Sequence, residues 1–378
     1  MDRGRIVDAA SSQLLERKYS ASRQILATNE IVLPGFVDPH THLVFQGSRE
    51  EEFQNRLGGA SYLDILRKGG GIIQTVNRTR QTTQSELFSI AQRRLNSMLE
   101  AGTTTLEIKS GYGLRLEHEL KILRVISQLK RHHPCKIVAT FLGAHAVPAG
   151  MIPEEYARKV IEEMIPAVHQ EGLAEFCDVF CESGIFNPEL SKKILRAGKA
   201  NGLRPKIHAD QFTDSKGARV ANAVGATSAD HLVYSEPREL ERMTKSSVVP
   251  VLLPASSHSL LSADYPQARK MLSERLPVSL GTDFSPSNWV LGQLTVAAEA
   301  SRGLRMKAEE IIRAITINAA KALGLQRSIG SIEKGKSADI VVLKVPNHRW
   351  IGYTYGEGIV DKVLIGGREV VREGKRVH

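Results

Sequence analysis

The sequence predicts an α/β protein: a closed (β/α)8 TIM-like barrel with a small β-sandwich-like domain formed from both chain ends. Three observations carry that reading. Strand-like apolar runs alternate with helical patterns eight times between residues 34 and 327, and such alternation implies parallel pairing through right-handed crossovers. The polar residues at the ends of those runs repeat one chemistry, His and Asp. Residues 1–33 and 328–378 drop the alternation for β-like patterns, so the two ends are expected to meet in one small domain.

Residues 1–33 are polar and weakly patterned, with one strand predicted over 25–33. A short apolar strand follows, entered through Pro34-Gly35 and ending in His40 and His42. Residues two apart on a strand face the same side, so both imidazoles can reach one ion. Pro39 lacks an N–H donor and suits the point where the strand stops pairing. A lone His-X-His pair arises by chance about as readily as by function, so the weight falls on the rest of the chain. Residues 46–49 lead into a charged stretch ending in Lys68-Gly69-Gly70-Gly71. It is predicted as a mobile loop over a site, because consecutive glycines permit backbone shapes closed to other residues.

From there the rhythm is regular. Leu87, Ile90, Ala91, Leu95, Met98 and Leu99 recur at helical spacing, and Ala101-Gly102 ends that helix. Strands are predicted over 103–109, 137–143, 176–182, 205–210, 227–232, 248–253 and 278–283. Helices are predicted over 116–129, 154–168, 188–200, 218–224, 236–244 and 266–276, and then over 292–301 and 308–323. The tail offers a strand over 338–343 and a hairpin over 360–371 around Gly366-Gly367.

Composition narrows the function classes. The 378 residues are 42% hydrophobic and 24% charged, values of an ordinary globular protein. No apolar run approaches the roughly 20 residues that span a bilayer, and no apolar stretch follows the N-terminal charges as in a secretory leader. Cys135, Cys177 and Cys181 are too few and too uneven for a disulfide framework. A cytoplasmic protein with no membrane partner is expected. The formal charge of +10 admits anionic partners. Zinc-finger spacing, an aromatic RNA-binding run and basic blocks are all missing, however, so a small anionic substrate is expected rather than nucleic acid.

In a barrel of this kind chemistry sits at the C-terminal ends of the strands. Those ends offer His40 and His42, then Glu107 and Lys109, His145, His208 with Asp210 and Gln211, Asp230 with His231, and Thr282 with Asp283. Three His and one Asp suit a divalent transition ion such as zinc or iron(II), with a position left for water. Such an ion lowers the pKa of water to about 7 and polarises a carbonyl. A nearby carboxylate can then move the proton to a leaving nitrogen, which is hydrolysis of an amide-like bond. Arg49, Tyr112 and His145 would ring the substrate, Arg49 gripping a carboxylate in bidentate fashion. The bland alternative for Arg49 is a surface ion pair with Glu50 to Glu52.

The text at these positions resembles the amidohydrolase superfamily. It reads Pro34-Gly35-Phe36-Val37-Asp38-Pro39-His40-Thr41-His42-Leu43-Val44-Phe45 with Gly47-Ser48-Arg49, then Lys109-Ser110-Gly111-Tyr112-Gly113 and Gly143-Ala144-His145. Further on come Lys206-Ile207-His208-Ala209-Asp210, Ser228-Ala229-Asp230-His231-Leu232 and Thr282-Asp283-Phe284. The resemblance spans roughly residues 30 to 375 and is closest to the branch that opens an imidazolone ring. It implies metal ligands at His40, His42, His208 and Asp283, holding one divalent ion, zinc or iron(II), with iron(III) a further option. It implies substrate contacts at Arg49, Tyr112, His145, Gln211, Ser285, Ser287 and Asn288, and catalytic roles for Asp283, His231 and Gln211. The implied reaction is ring opening of 4-imidazolone-5-propanoate to N-formimidoyl-L-glutamate by a metal-activated water, in a homodimer.

Several features depart from the family pattern. Gln211 stands where some members carry a glutamate proposed as general base, so proton transfer is expected to fall to Asp283 with His231. The loop Phe284-Ser285-Pro286-Ser287-Asn288 replaces an Asn-Pro-Gly type turn. The N-terminal part is short, which puts strands of the small domain in question. Lys109 invites a carbamate-bridged pair of ions, but the match favours one ion and a structural lysine. The rival readings are a heteroaromatic deaminase with the same ligands and a scaffold that has lost its chemistry. The set Arg49, Tyr112 and His145 separates the first, and stoichiometric metal separates the second.

Overall fold

The structure, a computed structural model, describes residues 1–59, 70–355 and 358–377. Strand β1 (Ile31–Pro34) belongs to a sheet of its own. The next eight strands form the barrel: β2 (Phe36–Asp38), β3 (Thr103–Lys109), β4 (Lys136–Ala144), β5 (Phe176–Cys181), β6 (Arg204–Ala209), β7 (Ser228–His231), β8 (Val249–Leu252) and β9 (Ser279–Leu280). They pair in chain order, every neighbour parallel. The ring closes beyond the ends of β9 and β2. There Asp283 N–H donates to His40 O at 3.0 Å, and His42 N–H to Phe284 O at 2.8 Å. Thr282 Oγ1 adds a bond to the buried Asp38 carboxylate at 2.5 Å.

The strand β3 shows how the barrel sorts its residues. Leu106 and Ile108 enter the apolar core beneath the helices, while Thr105, Glu107 and Lys109, also fully buried, take the alternate face. The helix Gln84–Glu100 covers this side. A reciprocal capping box between Thr83 and Glu86 starts it, and it buries Leu87, Ala91, Leu95, Met98 and Leu99. Each of the larger side chains contributes about 1.5–3 kcal/mol by leaving water.

The chain ends meet in one antiparallel sheet, β1 with β10 (Ile340–Leu343), β11 (Val360–Ile365), β12 (Arg368–Arg372) and β13 (Lys375–Arg376). Val341, Leu343, Val363 and Val371 on one face join the main core. Ile340, Val342 and Leu364 on the other pack with Ile25, Ala27 and Ile332. The expected sandwich is thus a single five-stranded sheet, its outer face covered by extended chain rather than by a second sheet. Among the described residues no helix is long and apolar enough to cross a membrane.

Local expectations are corrected at several places. Strand 25–33 shrinks to Ile31–Pro34, and an exposed helix, Ser12–Lys18, precedes it. The stretch after Arg49 is partly helical, Glu50–Leu57, and a further helix, Ile72–Gln81, begins directly after Gly71. The rest of the predicted loop, residues 60–69, lies outside the described residues. Helix 154–168 contains a π-helical turn, Val160–Met164. The predicted helix 308–323 is two, Ala308–Ala314 and Ile317–Ala322, broken where Thr316 leaves helical geometry (φ −127°, ψ −95°). The break has a use: Ile315 O accepts the N–H of Val37 in β2 at 2.9 Å.

Candidate metal centre and active site

The strand carrying the histidine pair ends at Asp38, earlier than the sequence suggests. The chain nevertheless stays extended, because Thr41 bridges to Phe284 and its hydroxyl donates to Glu107 O at 2.6 Å. The alternation that points His40 and His42 to one side therefore survives the end of the strand. His208 comes from β6, His231 ends β7, and Asp283 follows β9. His231 (φ 76°) and Asp283 (φ 52°) adopt left-handed backbone, a strained choice for such residues that turns the chain sharply at the barrel mouth.

Four predicted ligands converge. His208 Nε2 lies 3.4 Å from His42 Nε2. Asp283 Oδ1 lies 3.5 Å from His40 Nε2 and 3.6 Å from His42 Nε2. Zinc–nitrogen bonds of 2.0–2.1 Å give a tetrahedron with edges of about 3.3–3.4 Å, so these spacings fit the ligands of one ion. His231 also offers an atom to the cluster, within 4.8 Å of ligand atoms of His40 and Asp283.

The donor atoms are oriented as metal ligands are. His40 Nδ1 donates to Asp230 Oδ2 at 2.6 Å, which leaves the lone pair on Nε2. That Nε2 is buried without a hydrogen-bond partner, an arrangement that costs stability unless something binds there. His208 Nδ1 approaches Asp178 Oδ2 at 3.0 Å, off the line of a good hydrogen bond. Burial holds the imidazoles of His40, His42 and His231 well below their usual pKa, and neighbouring cations and imidazoles add to it. They stay neutral, as metal ligands must. Burial pushes Asp283 up to about 6, against the opposing hydrogen bond from Ser256.

A network of buried charged side chains lies beneath the cluster. Glu107, Lys109, Asp178, Lys206 and Asp230 are all fully buried. They interlock as ion pairs, Lys109 with Glu107, Asp178 and Asp230, and Lys206 with Glu107 and Asp230. Burial alone would lower the Lys109 pKa, but Asp178, Glu107 and Asp230 outweigh it and keep the ammonium charged. A carbamate needs the neutral amine, so these contacts favour Lys109 as a buried, ion-paired lysine rather than a bridge between ions.

Above the ligands lies a cavity of about 90 Å³ whose wall includes Arg49, Tyr112, His145, Gln211, Ser285 and Ser287. Arg49 sits directly before the helix Glu50–Leu57 and hydrogen-bonds the Tyr112 hydroxyl. The Glu50 carboxylate is taken by Ser48, and Glu52 by the N–H of Gly71. The His145 ring stacks on His42 with centroids 4.9 Å apart, its Nδ1 3.1 Å from Gly111 O. Burial first, then the neighbouring His208 imidazole, depresses His145 to about 3. Gln211 is aimed by its neighbour: the Asp210 carboxylate accepts from Gly217 N, Ala218 N and Ser235 Oγ, which fixes the turn.

Asn288 differs from its expected place on the cavity wall. Its amide donates to Thr282 O and Asp283 O at 2.8 and 3.2 Å and accepts from Ser259 Oγ at 2.9 Å. The side chain is spent on holding the Asp283 loop. Asp178, Asp230 and Ser256 are the contributors that the sequence reading left without a role. The signal was there for Asp178, a carboxylate inside the otherwise apolar run Phe176–Cys181.

Residues 31–370 match the amidohydrolase family. The chain is similar to the imidazolonepropionase of Alkaliphilus metalliredigens, 43% identical over 99% of this chain and 90% of that one. It is 46% identical to the imidazolonepropionase of Caldanaerobacter subterraneus subsp. tengcongensis over 97% of this chain and 89% of that one. A solved 5-methylcytosine deaminase from Klebsiella pneumoniae has a similar fold, with a TM-score of 0.79 at 15% identity, covering 100% of this chain and 95% of that one.

Proposed function

This chain belongs to the amidohydrolase family, and from that premise we propose that it works as an imidazolonepropionase, a metal-dependent hydrolase of histidine degradation. It opens the ring of 4-imidazolone-5-propanoate to give N-formimidoyl-L-glutamate. One observation carries the reading: His40, His42, His208 and Asp283 converge beneath the same cavity that Arg49, Tyr112 and His145 line.

His40, His42, His208 and Asp283 would hold one ion, zinc or iron, through three imidazole nitrogens and a carboxylate oxygen. When bound, such an ion polarises a carbonyl and brings the pKa of water to about 7. The protein does the rest. Arg49 grips the propanoate arm through a charge-assisted pair, with the Tyr112 hydroxyl beside it. His145 donates from Nδ1 to Gly111 O, which leaves Nε2 to accept from a ring N–H. Asp283, assisted by His231, takes the proton of the attacking water and passes it to the ring nitrogen as the acyl C–N bond breaks. The water oxygen stays on the former ring carbonyl carbon as a new carboxylate. Gln211 cannot take the proton; it orients water or substrate, with Ser285 and Ser287 on the adjoining wall.

The same reading divides the chain into 1–33 and 328–378 as the small domain and 34–327 as the barrel. It places the protein in the cytoplasm, where the three unpaired, buried cysteines fit a reducing compartment. The test is an absorbance assay of imidazolone propanoate consumption with zinc or iron(II). Turnover should vanish on chelation and return with metal. A protein with no stoichiometric metal and no turnover would end the enzymatic reading.

A further inference from the structure

Of the three imidazoles that turn Nε2 toward the ion site, two are backed by different carboxylates on different strands. Asp230 of β7 stands behind His40, and Asp178 of β5 stands behind His208. Both carboxylates meet at one atom. Lys109 Nζ lies 2.7 Å from Asp178 Oδ2 and 3.5 Å from Asp230 Oδ2, and its third neighbour, Glu107 Oε2, is 2.8 Å away. Asp178 Oδ2 and Asp230 Oδ2 are the very oxygens that face the imidazoles. Lys206 braces the assembly from the side, 3.0 Å from Glu107 Oε1 and 2.8 Å from the carbonyl of Pro39, the residue before His40.

We propose that Lys109 is a positioning residue for the ion site: it clamps Asp178 and Asp230 together and so sets the orientation of His208 and His40. The inference rests on the ligand assignment above. Physical reasoning separates it from a plain structural role. A buried ion network is a poor source of stability, since apolar groups of the same volume do as well or better. This network spends its oxygens on two imidazoles instead, and outer partners of this kind typically change metal affinity 10–100-fold. Without the Lys109 ammonium, Lys206 still faces Glu107 at 3.0 Å and Asp230 at 3.8 Å, but Asp178 loses its lysine partner, so Asp178 and Asp230 are no longer held to one atom and move apart. That movement frees the His40 Nδ1 edge and removes the carboxylate facing His208 Nδ1 at once.

The experiment uses the full chain as Lys109→Met and as the charge-balanced Lys109→Met/Glu107→Gln. The double variant removes one charge of each sign, so it retains a foldable interior if the single variant does not. Zinc affinity is read by competition with a chromophoric chelator, geometry by the visible spectrum of the cobalt(II)-loaded protein, and fold by metal-free melting. Zinc affinity should fall at least 10-fold, as expected for a lost outer partner, with an altered cobalt band and a retained cooperative transition. A double variant that binds zinc as tightly as the parent, with the parent cobalt spectrum, would overturn the clamp. A parent chain that takes up neither zinc nor cobalt would instead overturn the ligand assignment, so the two failures are distinguishable.

Discussion

His40 Nδ1 and Asp230 Oδ2 lie 2.6 Å apart with neither side chain exposed. The pair fixes the imidazole proton on Nδ1 and commits Nε2 to the ion site. Asp230→Asn keeps the shape and removes the charge. Zinc affinity should fall about 10–100-fold, and unchanged affinity by chelator competition would show that the pair does not tune the ligand.

His208 supplies the only predicted ligand from β6. His208→Ala should abolish stoichiometric metal and turnover while leaving the far-UV circular dichroism of the barrel intact. Retained metal, measured by elemental analysis, removes His208 from the ligand set.

Arg49 and Arg56 both line the cavity, and Arg49, beside Tyr112, is the one assigned to the propanoate arm. Arg49→Ala should raise KM for imidazolone propanoate by roughly 10-fold or more with a smaller effect on kcat, since charged hydrogen bonds contribute about 1.5–3 kcal/mol. A KM equal to that of the parent, in steady-state kinetics, would place the carboxylate elsewhere.

Gln211 lines the cavity where a carboxylate could serve as base. Gln211→Glu should raise kcat by roughly 10-fold or more, within the range a positioned base supplies. A kcat no higher than the parent's would indicate that Asp283 and His231 already suffice.

His133 gives a pH-dependent stability term away from the site. Its Nε2 donates to Asn96 Oδ1 at 3.1 Å and its Nδ1 accepts from Cys135 N at 3.2 Å, so both nitrogens are used by the neutral ring. Burial, then the charge of Arg376, lowers it from 6.5 to about 4. The unfolded chain therefore binds the proton first, and this contribution is complete above pH 6.5 and lost as pH falls toward 4. His133→Gln should flatten that part of the stability profile, a difference of about 1–3 kcal/mol by chemical denaturation. Parallel profiles for variant and parent would refute the assignment.

What could be read from the sequence was periodic or local. Eight strand–helix alternations gave the barrel, because period-2 and period-3.6 apolar patterns are properties of neighbouring residues. The spacing of His40 and His42 placed two imidazoles on one side for the same reason, even though the strand itself stops at Asp38. The split at Thr316 escaped because its cause is a hydrogen bond from Val37, about 280 residues earlier in the chain.

The sequence by itself determined the barrel, the polar character of its strand ends and the residue types available for an ion. Only the tertiary structure decided which charge meets which. Lys109, Asp178 and Asp230 lie on three strands, and β3 is not hydrogen-bonded to β5 or β7. Their meeting depends on the curvature of the closed ring, which brings inward-facing residues of non-adjacent strands into contact across the interior. No pattern along the chain encodes that distance, so the support behind His40 and His208 became visible only once the barrel had closed.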